Sequence, residues 1–210
     1  YLQDSIFTNP KEIADNGIDD DGNGLVDDVN GWDFRGNDND PMTEESDHET
    51  GVTGIISGIF NPYKNHQGLF TSVKILNIRA RRDHMTTQSD ISNAVRYAVD
   101  IAEATHKRVV INCSFVLGSQ SSELISEINY AISKGAIIVA GAGNEGNTVP
   151  RYPASNTNVI SVSGLMRDNI TVGSSYSYGD TVNYSAQASF KDILSETNQY
   201  KETSGTSFST

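Results

Sequence analysis

Short apolar runs alternate with amphipathic stretches through the middle of the chain, and this alternation predicts the fold class. Continuously apolar runs are typical of strands buried on both faces. Runs that are wholly or mainly apolar occupy residues 73–78, 109–113, 136–140 and 159–162. Apolar residues at helical spacing predict helices over 52–60, 89–104 and 121–133. Strands and helices in alternation predict an α/β fold in which helices cover a parallel sheet.

The sequence also carries signals for where the helices begin and end. Ser46 or Asp47 is expected to cap the first helix, and Ser89 or Asp90 the second. Gly135 is expected to end the third.

Both ends of the chain lack this alternation. Residues 1–40 are rich in Asp, Asn and Gly without a sustained period, which predicts loop. From residue 173 onward, the pattern predicts short strands and turns. No internal repeat or Pro-rich linker divides the chain, so we expect one domain over residues 1–210.

Composition narrows the classes of partner. The net charge of -12 argues against nucleic acid, because phosphate binding needs clustered Lys and Arg. No segment approaches the roughly 20 apolar residues of a membrane span. The single cysteine, Cys113, excludes an intrachain disulfide, and its apolar neighbours predict a buried structural thiol.

Three segments carry candidate chemistry, since ligands bind beyond the carboxyl ends of parallel strands. The Gly-rich run 141–146 follows an apolar run and lacks the Gly-Lys-Ser/Thr ending of a phosphate loop. A histidine, His48, precedes the first predicted helix, and a Ser/Thr-rich segment spans 204–210. Taken singly, Asn144 in the Gly-rich run is an ordinary turn residue and His48 an ordinary solvated side chain.

Taken together, the three segments resemble the signature motifs of subtilases. The run Gly-Thr-Ser-Phe-Ser at 205–209 resembles the nucleophile motif of that family. The run Gly-Ala-Gly-Asn-Glu-Gly at 141–146 resembles the oxyanion segment, and the residues from His48 to Ile56 resemble the catalytic-histidine helix. Connecting motifs in register extend the resemblance over essentially the whole chain.

The resemblance implies a subtilisin-like fold, a three-layer αβα sandwich with a mainly parallel central sheet. It implies a serine endopeptidase that cleaves peptide bonds in proteins. Ser207 would attack the peptide carbonyl, His48 would act as general base, and Asn144 would donate to the oxyanion.

The same resemblance implies how substrate binds. A polypeptide would add a strand to Ser114, Phe115 and Val116, while Ala142 and Gly143 would line the pocket for the residue before the scissile bond. Propeptide or complementary segments of the same protein are further expected partners. A secreted location, extracellular or in the cell envelope, is expected mainly from the family.

Two family elements have no match in the sequence. These are the strand bearing the orienting Asp of the triad and most of the helix after Ser207. The resemblance therefore implies a partial catalytic domain that is inactive in isolation. It would be either a piece of a larger protein or a cleaved product paired with other segments.

Two residues depart from the family pattern. Glu49 stands where family members almost always have Gly, and Val116 stands where they usually have Gly. A carboxylate at Glu49 is expected to crowd the site or to favour protonated His48 by attraction. Val116 is expected to narrow the pocket. One alternative function is a pseudopeptidase that binds peptide segments without cutting them. Another is a calcium-dependent binding domain on the same fold.

A calcium loop is predicted within an insertion at residues 15–40. The spacing matches the first nine positions of an EF-hand loop. The predicted ligands are Asp19, Asp21, Asn23, the backbone carbonyl of Leu25, and Asp27. Oxygen ligands at this density favour Ca²⁺ in a structural role, and the alternative is a solvated acidic loop.

Overall fold

The computed structural model describes residues 2–42, 47–57, 68–70, 72–80, 86–194 and 200–210. The helices are α1 (Asp47–Ser57), α2 (Gln88–Ala104) and α3 (Ser122–Ser133). The strands are β1 (Gly31–Asp33), β2 (Asn77–Arg79), β3 (Val110–Cys113), β4 (Ile137–Gly141), β5 (Ile160–Leu165), β6 (Tyr184–Gln187), β7 (Ser189–Leu194) and β8 (Tyr200–Ser204). The chain divides into two compact units: unit 1 holds residues 1–45, 56–109 and 121–135, and unit 2 holds residues 46–55, 110–120 and 136–210.

An aromatic cluster forms part of the core of unit 1. Trp32 on β1 is buried with Tyr97 and Ile101 of α2. Phe34 meets the Tyr97 ring edge-on, with 5.7 Å between centroids. The expectation of loop throughout residues 1–40 is therefore wrong at β1, which pairs in parallel with β2. The local pattern could not predict this strand, because its partner comes from a distant part of the sequence.

The two long helices of unit 1 begin at side-chain caps. Thr87, and not Ser89 or Asp90, caps α2, and Asp90 completes a reciprocal capping box from the third helical position. Ser121 caps α3 by accepting the backbone N–H of Leu124 at 3.2 Å. Gly135, with φ +86°, follows the end of α3 as predicted.

The parallel sheet predicted from the apolar runs is confirmed in unit 2. Its order is β3-β4-β5-β6, and every neighbouring pair is parallel. Cys113, at the end of β3, is buried as expected, and burial raises the pKa of its thiol to about 12. Val110 and Ile137, which begin β3 and β4, are 61% and 50% exposed. Burial on both faces thus does not extend to the first residues of these strands.

Some predicted boundaries differ from the structure. The apolar run 73–78 predicts a longer strand than β2, and only an isolated bridge between Ile75 and Ile6 precedes it. Helix α1 begins at Asp47, five residues before the predicted start. The predicted end of that helix at 58–60 and the Ser46 cap lie outside the described residues. After residue 173, β7 and β8 form an antiparallel pair, in line with the short strands expected there.

Candidate active site

The candidate nucleophile lies in a tight turn that follows β8. A 3₁₀ turn covers Thr206–Phe208, in which Thr206 and Phe208 are buried and Ser207 is half-buried. Gly205 precedes the turn with φ +150° and donates its backbone N–H to the Ala188 carbonyl at 2.9 Å. A positive φ of this size favours glycine, so the chain can turn sharply immediately before Ser207.

Ser207 exchanges two hydrogen bonds with Ser114, the residue that follows β3. The Ser207 hydroxyl donates to the Ser114 carbonyl oxygen at 3.0 Å. In the opposite direction, the Ser114 hydroxyl donates to the Ser207 carbonyl oxygen at 2.7 Å. A hydroxyl has a single proton, so Ser207 in this conformation does not also donate to an imidazole.

The oxyanion candidate Asn144 is tied to the same turn. β4 ends at Gly141, and the chain continues through Ala142 and Gly143 to Asn144. The Asn144 amide oxygen accepts the backbone N–H of Thr206 at 2.9 Å. The Gly143 N–H in turn donates to the Thr206 hydroxyl at 3.3 Å. Thr206, to which the motif assigned no role, therefore links the two segments.

A charged contact supports the turn behind Asn144. Glu145 Oε2 accepts the Ser177 hydroxyl at 3.2 Å and lies 3.4 Å from Arg151 Nε. Gly143 has φ +113°, and a Cβ there would lie 2.5 Å from the same Glu145 oxygen. The positive φ therefore favours glycine at position 143, and a side chain there would also displace the Glu145 carboxylate.

His48 is the second residue of α1. Its ring lies against Phe208, with 5.4 Å between centroids. Its Nδ1 atom lies 3.7 Å from Glu49 Oε1. The structure thus brings the predicted histidine next to the turn that bears Ser207, and the unusual Glu49 carboxylate next to the imidazole.

The predicted substrate-binding residues follow neighbouring strands of the sheet. Ser114, Phe115 and Val116 come after β3 and are half-buried, and the segment ends where Leu117 pairs with Tyr152. Ala142 and Gly143 come after β4, the strand paired with β3. All of these residues belong to unit 2, together with His48, Asn144 and Ser207.

An acidic cluster lies in the predicted calcium region, within unit 1. Carboxylate oxygens of Glu12, Asp21 and Asp28 all lie within 4.8 Å of one another. Asp28 is fully buried and accepts the Tyr97 hydroxyl at 2.6 Å and the Asn23 amide at 3.0 Å. Burial raises the pKa of both Asp28 and Glu12, because it penalises their charged forms.

The predicted ligands divide between this cluster and the loop around it. Asp21 belongs to the cluster, and the Asn23 amide contacts Asp28. The Asp19 carboxylate instead accepts backbone N–H groups of residues 22–24, and that of Asp27 accepts those of residues 16 and 17. Leu25 donates its backbone N–H to the Asn23 side chain at 2.8 Å.

Sequence reasoning missed Glu12 and Asp28 as members of the acidic cluster. Neither residue falls within the nine positions of the EF-hand pattern. Their juxtaposition depends on the folding of the loop, and Glu12 is brought in by accepting the Asp21 backbone N–H at 3.0 Å. The only sequence signal was that Asp28 directly follows Asp27.

The described part of the chain contains no helix long and apolar enough to cross a membrane.

Known proteins resemble this chain along most of its length. The model of the Subtilase family matches residues 2–210. Thermitase from Thermoactinomyces vulgaris is 33% identical over 183 residues, which cover 87% of this chain and 63% of thermitase. A thermophilic serine proteinase from Bacillus sp. (strain AK1) is 36% identical over 182 residues, 85% of this chain and 43% of that protein. The chain thus spans less than two thirds of the length of these relatives.

Solved structures agree with the sequence relatives. Sphericase superposes with a TM-score of 0.75 at 27% identity, over 85% of this chain and 65% of its own. A cold-adapted subtilisin-like serine proteinase superposes with a TM-score of 0.69 at 27% identity, over 86% of this chain and 62% of its own. The expected subtilisin-like α/β fold is confirmed by these neighbours. With the family model matched from residue 2 to residue 210, the chain belongs to the subtilase family.

Proposed function

We propose that the protein is a serine endopeptidase that hydrolyses peptide bonds in polypeptides through Ser207, His48 and Asn144. The observation that carries the proposal is the hydrogen bond from the Thr206 N–H to the Asn144 amide oxygen. This bond commits the amide oxygen, so the Asn144 Nδ2 group is the part of the side chain left to donate. An amide donor beside a candidate nucleophile is the arrangement that stabilises an oxyanion.

In the proposed reaction, the Ser207 hydroxyl attacks the peptide carbonyl carbon while its proton passes to His48. The tetrahedral oxyanion accepts hydrogen bonds from Asn144 Nδ2 and the Ser207 backbone N–H. As the C–N bond breaks, His48 returns the proton to the leaving amine. A water molecule then attacks the acyl-serine ester while its proton passes to His48. As the bond between the acyl carbon and the Ser207 oxygen breaks, His48 returns that proton to Ser207, and the acid product leaves. The orienting carboxylate of the family triad is assigned to no residue of this chain.

The hydroxyl of Ser207 must change its partner before it can react. It donates to the Ser114 carbonyl in the structure, and it must donate to His48 for proton transfer. We expect the exchange to involve rotation about the Cα–Cβ bond of Ser207, because serine can occupy different staggered side-chain conformations.

Polypeptide is the proposed substrate class. Ser114, Phe115 and Val116 extend beyond β3 and offer backbone groups to an added strand. Ala142 and Gly143 would line the adjoining pocket for the residue before the scissile bond. Val116 would narrow that pocket and disfavour bulky substrate side chains, because its own side chain occupies space where the family usually has Gly.

A second candidate function is a pseudopeptidase that binds peptide segments without cleaving them. The observation that favours it is the 3.7 Å separation between Glu49 Oε1 and His48 Nδ1. A carboxylate at this distance could occupy the side of the imidazole that the orienting carboxylate uses in the family.

The test uses the full-length gene product, purified with calcium and incubated with a mixed peptide library. Cleavage that disappears in the Ser207→Ala variant supports the peptidase. A folded protein that cleaves nothing contradicts it, and activity gained by Glu49→Gly would then identify Glu49 as the cause.

Calcium bound by Glu12, Asp21 and Asp28 is also part of the proposal. Glu12 Oε2 is buried and accepts no hydrogen bond from any described residue. Burying an anionic oxygen without a partner is costly, and a cation would remove that cost. Ca²⁺ prefers carboxylate and carbonyl oxygens, roughly six to eight in number. Its proposed role is to stabilise unit 1, in a protein that works outside the cell or in its envelope.

A further inference from the structure

We propose that Asn112 is a positioning residue for the nucleophile and acts through the hydroxyl of Ser114. Asn112 lies on β3, where it is paired with Val139 of β4. The inference rests on the proposed function of Ser207 as the nucleophile. It assigns a role in the reaction to a polar side chain within an otherwise apolar strand.

The contacts form a chain of hydrogen bonds with a defined direction. Asn112 Nδ2 lies 2.8 Å from the Ser114 hydroxyl, which lies 2.7 Å from the Ser207 carbonyl oxygen. A carbonyl can only accept, so the single Ser114 proton must point toward Ser207. The Ser114 oxygen is then an acceptor toward Asn112, which must present its NH2 group. The direction of each bond therefore follows from chemistry and not from a choice of amide orientation.

This chain of bonds fixes the backbone of the nucleophile. Two bonds of opposite direction join Ser114 and Ser207: hydroxyl to carbonyl, and carbonyl to hydroxyl. The bond from the Ser207 hydroxyl to the Ser114 carbonyl breaks when this hydroxyl turns toward His48. The bond from the Ser114 hydroxyl is then the one of the pair that remains, and it holds the Ser207 carbonyl during the chemical step.

Asn112 determines whether that remaining bond forms. As long as it donates, the Ser114 hydroxyl is free to donate to Ser207. A group that only accepts at position 112 would compete with the Ser207 carbonyl for the same proton. Because an ionised carboxylate is the stronger acceptor, the Ser114 hydroxyl would turn away from Ser207.

The decisive variant is Asn112→Asp in the full-length gene product. The Asp side chain has the same shape as Asn, but it accepts a hydrogen bond from the Ser114 hydroxyl where Asn donates one. The readout is the second-order rate constant for labelling by a small active-serine phosphonate, together with kcat and KM for a peptide substrate. We expect labelling and kcat to fall about tenfold, the effect of one hydrogen bond, with KM within about twofold. The matched control is Asn156→Asp, because Asn156 is a half-buried amide of unit 2 that pairs with Gln120.

A second set of variants separates positioning from folding. Ser114→Ala removes the hydroxyl and should lower the labelling rate as much as Asn112→Asp does, while Ser114→Thr retains a hydroxyl and should restore most of it. In the Ser114→Ala background, Asn112→Asp should have no further effect. All rates are measured below the thermal transition of each variant. If Asn112→Asp does not fold, Asn112→Ala takes its place: it removes the donor to Ser114 and should lower the labelling rate in the wild-type background but not in the Ser114→Ala background.

The outcomes distinguish this inference from the proposed function. Labelling of Asn112→Asp at the wild-type rate, or a full additional loss in the double variant, overturns the positioning role and leaves the peptidase proposal intact. Equal rates for Ser114→Ala and Ser114→Thr also overturn it. A wild-type protein that neither cleaves peptides nor reacts with the phosphonate overturns the proposed function, and the positioning role with it.

Discussion

Two polar regions of this subtilase differ in how their buried polar groups are partnered. In unit 2, the turn around Ser207 is held by bonds between neutral groups, such as the one from Thr206 to Asn144. In unit 1, three carboxylates converge, and one oxygen of Glu12 is buried without a described hydrogen-bond donor. The first region is preorganised by the protein alone. The second brings together like charges that the described residues do not neutralise, so its stability should depend on a bound cation.

The largest expected effect is in the region that needs no ion. Asn144→Ala should lower kcat by roughly 10²–10³ with little change in KM, because the oxyanion forms only in the transition state. The measurement is steady-state kinetics on the full-length protein. Asn147→Ala, on the same turn, is the control and should retain activity. An unchanged kcat for Asn144→Ala would mean that the bond from Thr206 serves only to hold the turn.

Calcium should have the next largest effect, on unit 1. At a free concentration about 100 times the dissociation constant, it should add about 2.7 kcal/mol to the free energy of unfolding. The measurement is denaturant unfolding with calcium and with a chelator. Glu12→Gln should weaken the response, because it removes a ligand charge. Asp15→Asn removes the same charge from an exposed residue and should leave the response unchanged. If calcium stabilised both variants equally, the ion would have to bind at a site that does not include Glu12.

The pH dependence without calcium provides a sharper test of the same contrast. Burial raises the pKa of Glu12 and Asp28, so the folded state retains protons that the unfolded state releases. Their contribution to stability is therefore present below the ordinary carboxyl pKa near 4 and is lost as pH rises through the raised values. Calcium requires ionised carboxylates and should reverse this slope. Thermal unfolding between pH 4 and pH 7, with chelator and with calcium, measures both slopes, and parallel curves would contradict the assignment.

The sequence predicted the two regions unequally well. Around Ser207, the strands β3 and β4 were visible as apolar runs, and the residues that follow them were expected to meet because parallel strands end on one side. The contacts of Thr206 with Asn144 and of Asn112 with Ser114 could not be predicted, since a side chain that orients another leaves no periodic signal in the sequence. In the acidic loop, the spacing from Asp19 to Asp27 predicts a calcium site. It did not indicate that Asp19 and Asp27 bind backbone N–H groups while Glu12 joins Asp21.

The smallest expected effect comes from an ion pair in unit 1 whose two opposite charges compensate each other without a bound ion. Arg96 forms two hydrogen bonds to Glu127, of 2.7 and 3.1 Å, and stacks on the Tyr130 ring at 3.5 Å. Because Arg96 is partly exposed, Glu127→Gln should cost only about 0.5 kcal/mol. The cost, measured by denaturant unfolding, should be the same with calcium and with chelator. A cost that changed with calcium would show that the acidic cluster and the helix pair α2–α3 respond together, and the dependence on a cation would then extend beyond the three carboxylates.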